Sequence, residues 1–160
     1  MKLFAPIKNY LFFFALLFSG FVSAQEINWV TIEQAEKMLE KDKSKKILID
    51  FYTNWCGYCK KMDQTTFKNP EVIAEINKNY IAVKFNAEQE TPAIFNGYRY
   101  KFIPSGTGGI NAFAYVFLQK KMSYPSYVIL SNTKKIGNIL RGYQSSVSFL
   151  EFLRQGVIFK

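Results

Sequence analysis

The feature that most constrains this chain is an apolar run that ends at a cysteine pair. Lys46-Ile47-Leu48-Ile49-Asp50-Phe51-Tyr52 is almost continuously apolar, and Cys56-Gly57-Tyr58-Cys59 follows after only Thr53-Asn54-Trp55. A short apolar run of this kind suits a central strand buried on both faces. The cysteine spacing suits the first turn of a helix, because residues i and i+3 lie side by side there. The sequence therefore predicts strand, short connection and helix, with both sulfurs at the helix entry.

That placement has chemical consequences. The start of a helix offers unpaired N–H groups and the positive end of a dipole, and both favour a thiolate at Cys56. Thiols so placed have pKa values of about 4–7. Cys56 is then a nucleophile toward a disulfide, and Cys59, one turn deeper, resolves the mixed disulfide. The reverse sequence oxidises a dithiol. The chain has no histidine and only two cysteines. This excludes a Cys–His nucleophile, a His-ligated metal, a Cys-x-x-Cys-His haem attachment and a four-cysteine zinc site within one chain. No cofactor and no resident metal is expected. Two other readings stay open on the residues alone. One is a non-catalytic binding module in which Cys56–Cys59 is a static structural disulfide. The other is a soft-metal-handling protein that holds an ion such as Cu(I) on both thiolates, with Met62 close by.

Residues 1–24 read as a secretory signal peptide. Lys2 and Lys8 supply a basic start, Leu11 to Phe18 an apolar centre, and Val22 and Ala24 the small residues of a cleavage site before Gln25. The apolar stretch is short for a spanning helix, which takes about 20 residues, so no transmembrane segment is expected after cleavage. The alternative is an uncleaved N-terminal anchor. The mature domain is residues 25–160. Val157-Ile158-Phe159-Lys160 carries no endoplasmic-reticulum retention signal, which favours a bacterial periplasm or secretion. The formal charge is +9, carried mostly by dispersed lysines with acids between them. Only Arg99, Arg141 and Arg154 are arginines. The charge therefore reads as a solvated surface, and no nucleic-acid partner is expected.

The mature chain divides into recognisable elements. Thr31 with Gln34 forms a capping-box pattern for a helix over about 32–42, with Ala35, Met38 and Leu39 as its apolar stripe. A helix is predicted over 57–67, and Asn69-Pro70-Glu71 restarts helix to about 79. Residues 80–86 form a second strand. Residues 87–109, rich in aromatics and glycine, read as an ordered loop or short helical insert, forming a groove wall or covering a sheet edge. Helix resumes over 110–121, with Phe113, Val116 and Phe117 inward. Residues 127–130 and 136–140 pair as a hairpin about Asn132–Lys135. A helix over 145–155 closes the chain, offering Val147, Phe149, Leu150 and Leu153 to the core. The fold class is α/β, a central mixed β-sheet flanked by helices, in one domain.

The stretch from Ile47 to Lys60, with Trp55-Cys56-Gly57-Tyr58-Cys59-Lys60 at its end, closely resembles the active-site strand and turn of thioredoxins. The resemblance extends over roughly residues 29–155 in element order, apart from the insert. It implies a thioredoxin-like fold and an exported thiol–disulfide oxidoreductase. Asp50 matches the family's buried acid, which relays a proton for the resolving cysteine, and Lys84 matches the lysine beside it. Pro125 matches the family's cis-proline opposite the cysteines, which frees the backbone of Tyr124 to pair with a substrate strand. The implied catalytic set is Cys56, Cys59, Asp50 and Lys84, and the implied substrate contacts are Trp55, Gly57, Tyr58, Tyr124 and Pro125. Gly57-Tyr58 replaces the Gly-Pro usual between the cysteines. Tyr58 adds an exposed aromatic, and Tyr124 is bulkier than the usual residue before the proline. Implied partners are protein thiol or disulfide substrates and a membrane or soluble thiol electron carrier. Asp50 with Lys84 favours a reductase or isomerase-like role.

Overall fold

The computed structural model describes residues 25–156; the proposed signal peptide lies outside the described residues. The apolar run forms β2 (Lys46–Tyr52) at the middle of a five-stranded sheet. Its neighbours are β3 (Tyr80–Asn86), parallel to it, and β8 (Ser126–Leu130), antiparallel. Two edge strands complete the sheet: β1 (Trp29–Val30) parallel to β3, and β9 (Ile136–Arg141) antiparallel to β8. Strand order is thus β1-β3-β2-β8-β9.

Side-chain alternation splits the strands between two cores even where every residue is apolar. Ile47, Ile49, Phe51, Val83, Phe85 and Val128 face one layer, closed by α1 (Ile32–Lys41) and α4 (Ala112–Phe117). Leu48, Ala82, Tyr127 and Ile129 face the other, closed by α2 (Gly57–Gln64), α3 (Pro70–Asn79) and α5 (Ser146–Gln155). Helix starts follow their caps. Thr31 and Gln34 form the expected capping box, Asn69 accepts from two backbone N–H groups ahead of Pro70, and Ser145 caps α5.

Several expectations need correction. The insert is neither loop nor helix. It folds as two antiparallel ribbons, β4 (Ala93–Phe95) with β5 (Tyr98–Tyr100), and β6 (Phe102–Ser105) with β7 (Gly108–Asn111). Asn96 and Gly97, both at positive φ, turn the first ribbon. Gly109 sits against the second ribbon's own strand, where a Cβ would lie 2.4 Å from the Phe102 ring and the Ile103 carbonyl. Pairing with β6 takes residues 110 and 111 from the predicted helix, which spans only Ala112–Phe117 and ends where Gln119 and Lys120 adopt positive φ. The predicted helix over 57–67 breaks at Thr65, whose hydroxyl bonds back to the Lys61 carbonyl, and a 3₁₀ turn (Thr66–Lys68) follows. Met38, Val116 and Val147 are exposed rather than inward. Ile32, Ala114 and Phe152 occupy core positions beside them.

Candidate active site

Cys56 is the N-cap of α2, and the backbone N–H of Cys59 donates to its Sγ at 3.1 Å. The same turn that brings residues i and i+3 together joins the sulfurs as a disulfide, with Cα atoms 5.3 Å apart. In the reduced form, that N–H and the open helix end favour negative charge on Cys56. Gly57, next in the chain, is exposed and has open space where a Cβ would stand. Neither cysteine belongs to a core cluster. Both are nonetheless well covered: Cys56 is 4% exposed and Cys59, a turn deeper, 5%. An aromatic residue precedes each cysteine in the sequence. Trp55 is 68% exposed and Tyr58 62%.

Each of these aromatics is held by a neighbour. The Trp55 indole N–H donates to the Glu88 carboxylate at 3.0 and 3.1 Å, and its ring meets Tyr124 edge-on at 6.0 Å. Tyr58 lies 6.2 Å from the Tyr143 ring, over which Lys61 places its ammonium at 4.5 Å. The Tyr124–Pro125 peptide is cis, as the resemblance implies. Tyr124 is half-buried, and its hydroxyl pKa is pushed up to about 12 by burial and by the Glu88 charge.

Under α2, the sheet carries a row of polar groups. Register pairs Asp50 of β2 with Lys84 of β3 on one side and Tyr127 of β8 on the other. Directly opposed residues point to the same face, here the face that carries α2. Asp50 is 2% exposed, and burial raises its pKa from 3.8 to about 7, against the lowering pull of Lys84 and with an added push from Asp63. Lys84 Nζ lies 3.8 Å from Asp50 Oδ2 and makes its close ion pair with Asp63. The expected Asp50–Lys84 pair is therefore a three-member group.

Asp63, Glu88, Tyr127 and Tyr143 are site residues that the sequence reasoning did not name. Asp63 had a signal: it stands four residues after Cys59, hence on the same side of α2. Tyr127 follows Pro125 by two, but only strand register shows that it faces Asp50. The Asp50 Oδ1, Thr53 Oγ1 and Tyr127 hydroxyl oxygens are buried with no hydrogen-bond partner among the described residues.

Comparisons with known proteins agree with this geometry. A thioredoxin-like domain model matches residues 32–156. A 58-residue stretch is 31% identical to the thiol:disulfide interchange protein DsbD of Vibrio vulnificus, covering 33% of this chain and 10% of that protein. A 65-residue stretch is 28% identical to DsbD of Photorhabdus laumondii, covering 41% of this chain and 11% of that protein. The chain thus matches about a tenth of the length of these relatives. Among solved structures, the oxidised C-terminal domain of Neisseria meningitidis DsbD superposes with a TM-score of 0.54 at 18% identity, over 78% of this chain and 90% of that one. A thioredoxin from Thermus thermophilus gives 0.58 at 16% identity, over 81% and 86%. These likenesses show the fold. With a domain match across most of its length, and with its cysteine pair closed at the start of α2, the chain belongs to the thioredoxin-like domain family.

Proposed function

We propose that this protein is exported, loses residues 1–24, and exchanges disulfides with protein substrates as a reductase or isomerase-like enzyme. The observation that carries the reading is the cysteine pair at the first turn of α2, with the Cys59 N–H aimed at Cys56 Sγ. The names of the DsbD relatives as thiol:disulfide interchange proteins support it.

The chemistry follows from the charges. In the reduced protein, the Cys56 thiolate attacks one sulfur of a substrate disulfide. A Cys56–substrate disulfide forms and one substrate thiolate leaves. Cys59 must then lose its proton before it attacks Cys56 Sγ and expels the second substrate thiolate. Asp50, on the sheet face beneath α2, is the base that takes this proton. A carboxylate with a pKa near 7 is matched to that task at neutral pH. Lys84 holds the charge on Asp50 once the proton moves on. The substrate gains two electrons and the protein ends as the Cys56–Cys59 disulfide. A membrane or soluble thiol carrier returns the electrons. Trp55, Gly57, Tyr58, Tyr124 and Pro125 meet the substrate chain in this reading.

Cys59→Ala tests the reading. The variant should accumulate mixed disulfides on Cys56 in the cell envelope, while wild type and the Cys56→Ala variant should not. N-terminal sequencing of the exported protein should begin at Gln25. One observation favours a second reading, a static bridge in a binding module: the two cysteine residues are only 4% and 5% exposed. A wild-type disulfide that resists dithiothreitol in the folded state, together with no trapped partner, would establish that reading instead.

A further inference from the structure

The two ribbons of the insert differ in what they bury. β4–β5 belongs to the core: Phe95 is 1% exposed and packs against Phe113, and Glu33 and Glu36 of α1 accept backbone N–H groups of Ile94 and Asn96. β6–β7 contributes little to any core. Pro104, Ser105 and Gly108 are exposed and Ile103 is 44% exposed. A ribbon that is ordered without being buried needs another reason for its place.

Its place is beside the redox site. Ser105, Gly109 and Ile110 line a cleft of about 390 Å³ together with Trp55, Glu88 and Tyr124. Adjacent residues of β7 both border the cleft. Among the described residues β7 pairs as a strand only with β6; its Asn111 N–H is taken by the Ala87 carbonyl, so its other edge is open to a further strand only short of that end. An extended segment is the shape that fits an open strand edge. Glu88 is the one charged residue among those lining the cleft. Its carboxylate accepts the Trp55 N–H, which leaves lone pairs for another donor. On the other side of Cys56, α2 exposes Lys60 and Lys61.

We propose that the β6–β7 ribbon is the outer wall of the substrate groove, and that Glu88 makes this groove select extended peptide segments with a basic side chain beside the half-cystine. This rests on the oxidoreductase reading above. The substrate strand lies between Tyr124 and β7, its half-cystine over Cys56 and its basic side chain at Glu88.

The test uses the reduced full-length protein and three disulfides: neutral dithiodipyridine, a disulfide-bridged peptide with arginine flanking its half-cystine, and the same peptide with glutamate there. Wild type should favour the arginine peptide by about threefold or more. Glu88→Gln, which keeps an acceptor for the indole N–H, should lower that ratio at least about threefold. Ser105→Trp, at the exposed rim, should slow both peptides by about tenfold and leave the dithiodipyridine rate unchanged. The proposal is overturned if Ser105→Trp spares the peptides or slows all three disulfides alike, or if Glu88→Gln leaves the peptide ratio where it was. A wild-type protein inert even to dithiodipyridine would instead overturn the oxidoreductase reading, and this inference with it.

Discussion

The two faces of the central sheet are made by the same three strands and are chemically unlike. Toward α1 and α4, β2, β3 and β8 present apolar side chains apart from Ser126 at the start of β8, and Phe113 sits at the centre of a ring cluster with Phe51, Phe85, Phe95, Tyr100 and Phe117. Toward α2, the same strands present Asp50, Lys84 and Tyr127 in one row. One face maximises burial. The other gives up stability, since a buried carboxyl and an unpartnered phenol both cost free energy. The cost is placed beneath the helix that carries the cysteines. This contrast teaches that alternate residues of one strand can serve packing and proton chemistry separately, so each can be altered without the other.

The sharpest way to break that separation is at Phe113. Phe113→Ala should lower stability by roughly 3–5 kcal/mol, read from urea midpoints, because five rings lose their common neighbour. Under conditions where the variant is folded, the rate at which Cys59 resolves a mixed disulfide should hold. A resolving rate that falls with stability would show that the faces are coupled.

The polar face should show itself in pH dependence. Asp50 has a folded pKa of about 7 against an ordinary 3.8. Between those values the native state holds a proton that the unfolded chain has lost. Stability should therefore be highest near pH 4 and fall by a few kcal/mol as pH rises through 7. The measurement belongs on the disulfide form, so that the thiols do not titrate. Asp50→Asn should flatten the profile and raise stability at pH 8, while slowing resolution of mixed disulfides. A flat wild-type profile would show that burial does not hold a proton on Asp50. Tyr127→Phe should have a smaller effect. It removes a buried hydroxyl that has no partner among the described residues, so stability should stay level or rise by about 1 kcal/mol. A loss of that size would reveal a hydrogen bond to the phenol.

The apolar face and the cysteine turn were legible in the sequence because each depends on near neighbours. The run from Ile47 to Phe51, the capping box at Thr31 and the spacing of Cys56 and Cys59 are local signals. The insert was not legible. Its strands are three or four residues long and their pairing depends on turns at Asn96-Gly97 and Gly106, not on alternation. Periodicity also misplaced Val116 and Val147, since a helix shows which residues share a face but not how wide a stripe its neighbours cover. At the site, the cysteines were reached from their spacing, and Asp50, Lys84 and the cis Tyr124–Pro125 bond through the resemblance. Tyr127 and Glu88 were not, because register across β2–β8 and the approach of residue 88 to Trp55 are tertiary facts.

The finest test of the polar face concerns how Lys84 divides its charge. Its ammonium makes its close ion pair with Asp63, whose side chain is 41% exposed, and stands 3.8 Å from the buried Asp50. Asp63→Asn should act on Asp50 in two ways with one sign. It removes a negative charge that raises the Asp50 pKa, and it frees Lys84 to turn wholly toward Asp50. Both lower the pKa, so the midpoint of the Asp50 carboxyl, followed by carbon NMR in the disulfide form, should fall by about half a pH unit or more. The fall in stability should then begin at the same acid end, finish at a lower pH and be smaller in total. Lys84→Gln should move the midpoint the other way, since the lowering influence is gone while Asp63 remains. If Asp63→Asn left the midpoint in place, Asp63 would be only a surface anchor for Lys84, and the polar row would consist of Asp50, Lys84 and Tyr127 alone.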